Sequence, residues 1–331
     1  MKPRDPVAPE AQGSSMCGGA PGPCRTARDR VGEQVVVKAS GLSYPKHVSE
    51  EVDLLAHALG AAAEVFLFLD YGGTLAPGAP GEMLHPEPGV LTKLEQLGNE
   101  EAFSVFVLSG RTVGELDTLL GVENIGLIGQ RGFEIRREHS ETEYPVDPES
   151  LGGLIHHLEL DAHGRLERFR GVSIENRGFA LALHLNQSDA TLNREASREF
   201  LCVVRDLDAH QQLEVLYGNG IVEARLAGWH KGDAVNHILR AADVEDSLAI
   251  YIGDDVTDEE AFEAVRGWAE IDDLEEPWFI PGDDEDEEPP HALTILVAER
   301  PRPTMASLFV RGPHEVYEFL SSLAAIASAL L

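Results

Sequence analysis

Apolar residues fall along this chain in two rhythms. Unbroken runs recur at residues 65–69 (VFLFL), 105–108 (VFVL), 248–252 (LAIYI) and 293–297 (LTILV). Runs of this length, rich in Val, Ile and Phe, predict strands buried on both faces of a parallel sheet. NIGLIG at 124–129 reads as a further strand. Between them the spacing turns helical. Val52, Leu55, Ala56 and Leu59 predict a helix within 49–63, and others are expected over 88–97, 112–120, 232–242 and 313–331. Strand and helix in alternation predict an α/β fold built on a doubly wound, mainly parallel sheet.

The alternation breaks near residue 144. A helix, two alternating strands (GVSIENRG and FALALHLN), a helix over 188–205 and the hairpin LEVLYGNGIVEARL follow, the hairpin marked by its Gly218-Asn219-Gly220 turn. Residues 145–225 therefore form an inserted α+β domain, with the core made of 49–144 and 226–331. Residues 1–48 read as a disordered or weakly ordered extension: Gly, Pro and Ser dominate the first thirty, and VVVK at 35–38 is the one β-like run. Residues 272–290, with DDEDEE inside, read as a solvated acidic loop within the core.

Polar residues stand where the apolar runs stop. The first run ends on Asp70, followed by Gly72, Gly73 and Thr74; the second ends on Ser109-Gly110-Arg111. The third ends on Gly253-Asp254-Asp255, with Thr257 and Asp258 behind it. Open α/β sheets bind ligands outside the carboxyl ends of their strands. Taken singly, each of these residues reads equally well as a turn residue or a helix cap. Thr257 and Asp258 in particular are read as caps of the helix EEAFEAV. Lys231 opens a helix and is the only lysine beyond residue 93.

Charge narrows the partners rather than the chemistry. The 331 residues carry 26 basic and 58 acidic side chains, a net charge of −32. Five of the basic residues are Lys and 21 are Arg. So acidic a chain disfavours nucleic acid and anionic membranes as partners. The acid surplus suits a high-salt cytoplasm, and the scarcity of Lys fits either that or GC-rich coding. Cys17, Cys24 and Cys202 form neither a disulfide framework nor a spaced metal site. No stretch nears the apolar length of a membrane span, and the N-terminus has no apolar core of a secretory signal. A cytoplasmic protein is expected, and no protein partner is signalled.

Asp70, Ser109, Lys231 and the Asp254-Asp255 pair, in that order, resemble the four motifs of the haloacid-dehalogenase-like phosphatases. LDYGGTLAP, LSGRT, KGDAV and IGDDVTDEEAF resemble more narrowly the trehalose-6-phosphate phosphatase family, and the likeness extends over roughly 54–323. The resemblance implies a haloacid-dehalogenase-like core with a cap at 145–225. It implies Asp70 as nucleophile, forming an aspartyl phosphate, with Ser109 and Lys231 on the phosphoryl oxygens. It implies Mg²⁺ held by Asp70, the backbone carbonyl of Gly72 and Asp254, with Asp255 assisting. The implied substrate is a sugar phosphate, trehalose 6-phosphate, bound through Gly73, Thr74 and Arg111 in the core. In the cap it would meet Glu175, Asn176, Arg177 and Glu223, which read equally as outer-face polar residues of a half-exposed sheet.

Two positions depart from that pattern. The family has a second aspartate two residues after the first, which protonates the departing sugar oxygen; here the position is Gly72. The family also tends to have histidine where this chain has Arg131. Acid–base help of this kind is worth ~10²–10⁴-fold in rate, so an enzyme that is slowed, or that uses another group as the acid, is expected. The alternatives are a non-catalytic sugar-phosphate-binding relative, acting as a sensor or partner subunit, and a phosphatase for another glycosyl phosphate.

Overall fold

The computed structural model describes residues 42–77, 85–145, 148–186, 189–208, 212–218, 220–270 and 289–330. The expectations for residues 1–41, for the acidic stretch over 272–288 and for Asn219 lie outside them.

The first half of the core runs β1 (Lys46–His47), α1 (Val52–Ala61), β2 (Glu64–Asp70), α2 (Pro88–Gly98), β3 (Phe103–Leu108), α3 (Val113–Leu120), β4 (Gly126–Gly129) and β5 (Glu134–Arg136). The inserted part runs α4 (Pro148–Leu166), β6 (Ser173–Asn176), β7 (Ala180–His184), α5 (Ala190–Leu207), β8 (Leu213–Gly218) and β9 (Ile221–Leu226). The second half of the core runs α6 (Lys231–Leu239), β10 (Ser247–Gly253), α7 (Glu259–Ala269), β11 (Ala292–Val297), β12 (Leu308–Val310) and α8 (Pro313–Leu330).

The core sheet has the order β1-β12-β11-β10-β2-β3-β4-β5, parallel except where β5 turns back on β4. Its centre, β2, explains the unbroken apolar run. Leu67 and Leu69 face one layer, with Leu94 of α2, Leu116 of α3 and Leu320 of α8. Phe66 and Phe68 face the other, with Val235 of α6 and Phe262 of α7. Successive side chains of a strand point to opposite faces, so a strand covered on both sides must be apolar at every position. The edge differs from expectation. β1, inside the stretch read as weakly ordered, pairs in parallel with β12, and His47 Nε2 lies 2.9 Å from Glu315 of α8.

The inserted residues make a second sheet, β6-β7-β9-β8, antiparallel throughout. Leu181, Leu183, Val222 and Ala224 pack one face on Leu158 of α4 and Phe200 of α5. The opposite face, by the alternation of the strands, carries Glu175, Ala180, Ala182, His184, Glu223 and Arg225. No helix among the described residues is long and apolar enough to cross a membrane.

Candidate active site

Asp70, Ser109 and Asp254 leave the C-terminal ends of the adjacent strands β2, β3 and β10. Strand pairing fixes their neighbourhood: Asp70 stands opposite Leu108, one residue before Ser109, and Leu69 stands opposite Ile252, two before Asp254. Lys231, the first residue of α6, reaches the same edge. Its Nζ donates to Asp70 Oδ1 at 2.6 Å and to Asp258 Oδ1 at 2.7 Å. Carboxylate oxygens of Asp70, Asp254 and Asp258 lie within 4.8 Å of one another.

Charge in this cluster is unbalanced. Three carboxylates face one ammonium, out of bulk water. Burial pushes the Asp70 carboxyl well up; Lys231 opposes the shift, and Asp258 and Asp254 add to it. Asp254 is pushed up to about 6, first by burial and then by Asp258. A divalent cation would relieve that surplus, and carboxylate oxygens are the hard donors that Mg²⁺ prefers. The donor set therefore fits a magnesium ion.

The turn after β2 is shaped around Asp254. Gly73 has φ of 92°, in the left-handed region, and a Cβ there would overlap the Asp254 carboxylate. Gly72 is its opposite: a Cβ there would meet nothing within 4 Å. Thr74 is fully buried, and its Oγ1 donates to Asp254 Oδ1 at 3.5 Å. Ser109 is buried too, and its Oγ accepts the Arg111 N–H at 3.2 Å. The Asp255 side chain points elsewhere: its Oδ1 accepts the Thr257 N–H at 3.2 Å and starts the short helical turn before α7.

Asp258 precedes α7, but its side chain makes no capping bond to that helix. Its Oδ2 instead accepts the backbone N–H groups of Asp254 and Asp255, at 3.0 and 2.9 Å. Its Oδ1 faces Lys231 and also accepts the Tyr251 hydroxyl at 2.7 Å. Asp258 thus fixes the strand end that carries Asp254 and the ammonium that faces Asp70. Tyr251 lies inside an apolar run and reads as core; nothing local marks its hydroxyl.

The second sheet meets the core at the turn after β4. Arg131, in a left-handed turn after β4 (φ 58°), makes an ion pair with Glu223. Arg177 Nη1 donates to the other Glu223 oxygen at 2.6 Å, and its Nη2 donates to Glu175 at 2.7 Å. Glu175 Oε2 also lies 2.6 Å from His184 Nε2. Glu175, Arg177 and Glu223 are therefore brought together, and Arg131 is joined to them from the core. Asn176 is not: its side chain turns to Glu159 of α4 at 2.7 Å. Alternation explains this, since adjacent strand residues face opposite ways.

The sequence pattern described as trehalose-phosphatase matches residues 68–272. A probable trehalose-phosphate phosphatase 9 of Oryza sativa subsp. japonica is 27% identical over 303 residues, covering 82% of this chain and 74% of that protein. A bifunctional trehalose-6-phosphate synthase/phosphatase of Thermoproteus tenax is 31% identical over 227 residues, 67% of this chain and 30% of that longer protein. In structure, the C-terminal domain of a C. albicans trehalose-6-phosphate phosphatase superposes with a TM-score of 0.66 at 21% identity, covering 86% of this chain and 99% of that one. That likeness bears on the fold, while the sequence match takes in the end of β2, the inserted sheet and β10 together. The chain belongs to the trehalose-phosphatase family of phosphate-ester hydrolases.

Proposed function

We propose that the protein hydrolyses trehalose 6-phosphate to trehalose and phosphate, with Mg²⁺ as cofactor and Asp70 as nucleophile. The observation that carries this reading is the meeting of Asp70, Lys231 and Asp254 at one sheet edge. Asp70 attacks phosphorus, the sugar oxygen leaves, and water then cleaves the acyl phosphate. Lys231 and Ser109 hold the phosphoryl oxygens, and the amides of the Gly73-Thr74 turn add donors. Asp70, Asp254 and the Gly72 carbonyl would hold the metal, and when bound it neutralises charge between carboxylate and phosphate. Glu175, Arg177 and Glu223 bind sugar hydroxyls, and the cap shields the site from bulk water while the sugar is bound.

Gly72 removes the side chain that would protonate the leaving alkoxide. The metal-holding carbonyl at that residue survives the loss, so binding is retained and turnover of sugar phosphates is slow. An aryl phosphate, whose leaving group departs unprotonated, is less affected. Phosphate release from trehalose 6-phosphate should therefore require Mg²⁺, stop with EDTA and rise ~10²-fold in Gly72→Asp. The open space at the Gly72 Cβ allows that change without repacking. The same glycine supports a second reading, a non-catalytic sugar-phosphate sensor. A Gly72→Asp variant that binds trehalose 6-phosphate and releases no phosphate would decide for the sensor.

A further inference from the structure

Glu223 and Arg225 are two apart on β9 and leave the same face of the second sheet, toward the core. Arg225 is 2% exposed. Its Nε donates to Glu214 of β8 at 2.7 Å and its Nη2 to Glu260 of α7 at 3.3 Å. Its third nitrogen, Nη1, is buried with no hydrogen-bond partner. A buried guanidinium N–H without an acceptor costs free energy that a ligand or water oxygen recovers.

That side chain borders a cavity of about 20 Å³ between the two sheets, walled also by Gly110, Arg131, Arg177 and Glu223. The space suits one water-sized atom. Both Glu223 oxygens are already engaged by Arg131 and Arg177. Arg225 Nη1 is therefore a spare N–H donor in this wall. Gly110, the residue after Ser109, is part of this wall, so the cavity borders the turn that carries Ser109.

We infer that Arg225 Nη1 donates to an oxygen of the sugar leaving group, a hydroxyl or a glycosidic or ring oxygen, and so helps determine specificity for polyhydroxylated phosphate esters. The inference rests on the function proposed above. A sugar oxygen there satisfies the donor that Nη1 leaves open.

Arg225→Lys keeps a cation between Glu214 and Glu260 and loses the fork that carries Nη1. Its kcat/KM for trehalose 6-phosphate relative to p-nitrophenyl phosphate should fall about tenfold. Calorimetry of the full chain with Mg²⁺ should show trehalose 6-phosphate, but not orthophosphate, bound about tenfold more weakly. A wild-type protein that turns over neither ester but loses this binding margin on substitution would sink the hydrolysis and keep the contact. Equal weakening of both ligands, or of neither, would overturn the contact. Should the variant not fold, a wild-type crystal structure with trehalose decides. A sugar oxygen within about 3.2 Å of Nη1 supports the inference, and a water there overturns it.

Discussion

Lys231 Nζ lies between two buried carboxylates, Asp70 and Asp258, and is itself out of solvent. Desolvation alone would lower its pKa, but Asp258 and Asp70 outweigh it, and the ammonium stays charged across the whole working pH range. Replacing it by Met leaves two anions facing each other in the interior. Removing one partner of a buried pair typically costs about 3–5 kcal/mol. The sign of the pH effect follows from Asp70, whose pKa is already raised. A carboxyl with a raised folded pKa takes up its proton more readily folded than unfolded, so its penalty shrinks as pH falls through that pKa. Urea melts of Lys231→Met should therefore show the larger loss at pH 8 and a smaller one at pH 5. A loss that grows on acidification would contradict the charge arrangement.

At the scale of the element, the turn after β2 sorts its two glycines by space. Gly73→Ala must enter the left-handed region and displace the Asp254 carboxylate, whereas Gly72→Ala meets open space. Gly72→Ala should stay within about 1 kcal/mol of the parent. Gly73→Ala should abolish the rise in melting temperature on adding Mg²⁺. Thermal shift with and without the metal checks both, and equal behaviour of the two variants would speak against the turn geometry. The long core strands and helices were legible in the sequence because burial on two faces leaves an unbroken apolar run. Asp70, Ser109 and Asp254 were legible because they end such runs. β1 and β5, of two and three residues, are too short to show a period. Tyr251 and Asp258 escaped for another reason. Asp258 matters through its contact with Lys231, 27 residues away in the chain, and Tyr251 through the hydrogen bond of its hydroxyl to Asp258, and no local pattern encodes either. Asn176 follows Glu175 directly on a strand, so strand alternation itself turns it to the other face, toward Glu159.

Across the whole molecule, the net charge of −32 opposes compaction. Exposed ion pairs, each worth about 0–1 kcal/mol, are too weak to offset it. Raising KCl from 0.05 to 1 M, which shortens the screening length from well over 10 Å to about 3 Å, should raise the melting temperature by roughly 5 °C. A falling melting temperature would mean that the ion pairs dominate. Chain order adds a different kind of constraint. β2 pairs with β10, joining Val65–Leu69 to Leu248–Ile252 across the entire inserted sheet. Such non-local pairing carries a loop-closure entropy that slows folding. During synthesis at about 5–20 residues per second, β2 waits on the order of ten seconds for its partner. Throughout that interval one long edge of its apolar run stays unpaired. The second sheet is contiguous in sequence and fully synthesised by Leu226, before β10 begins at Ser247, so its strands are all present before Asp254 can join Asp70.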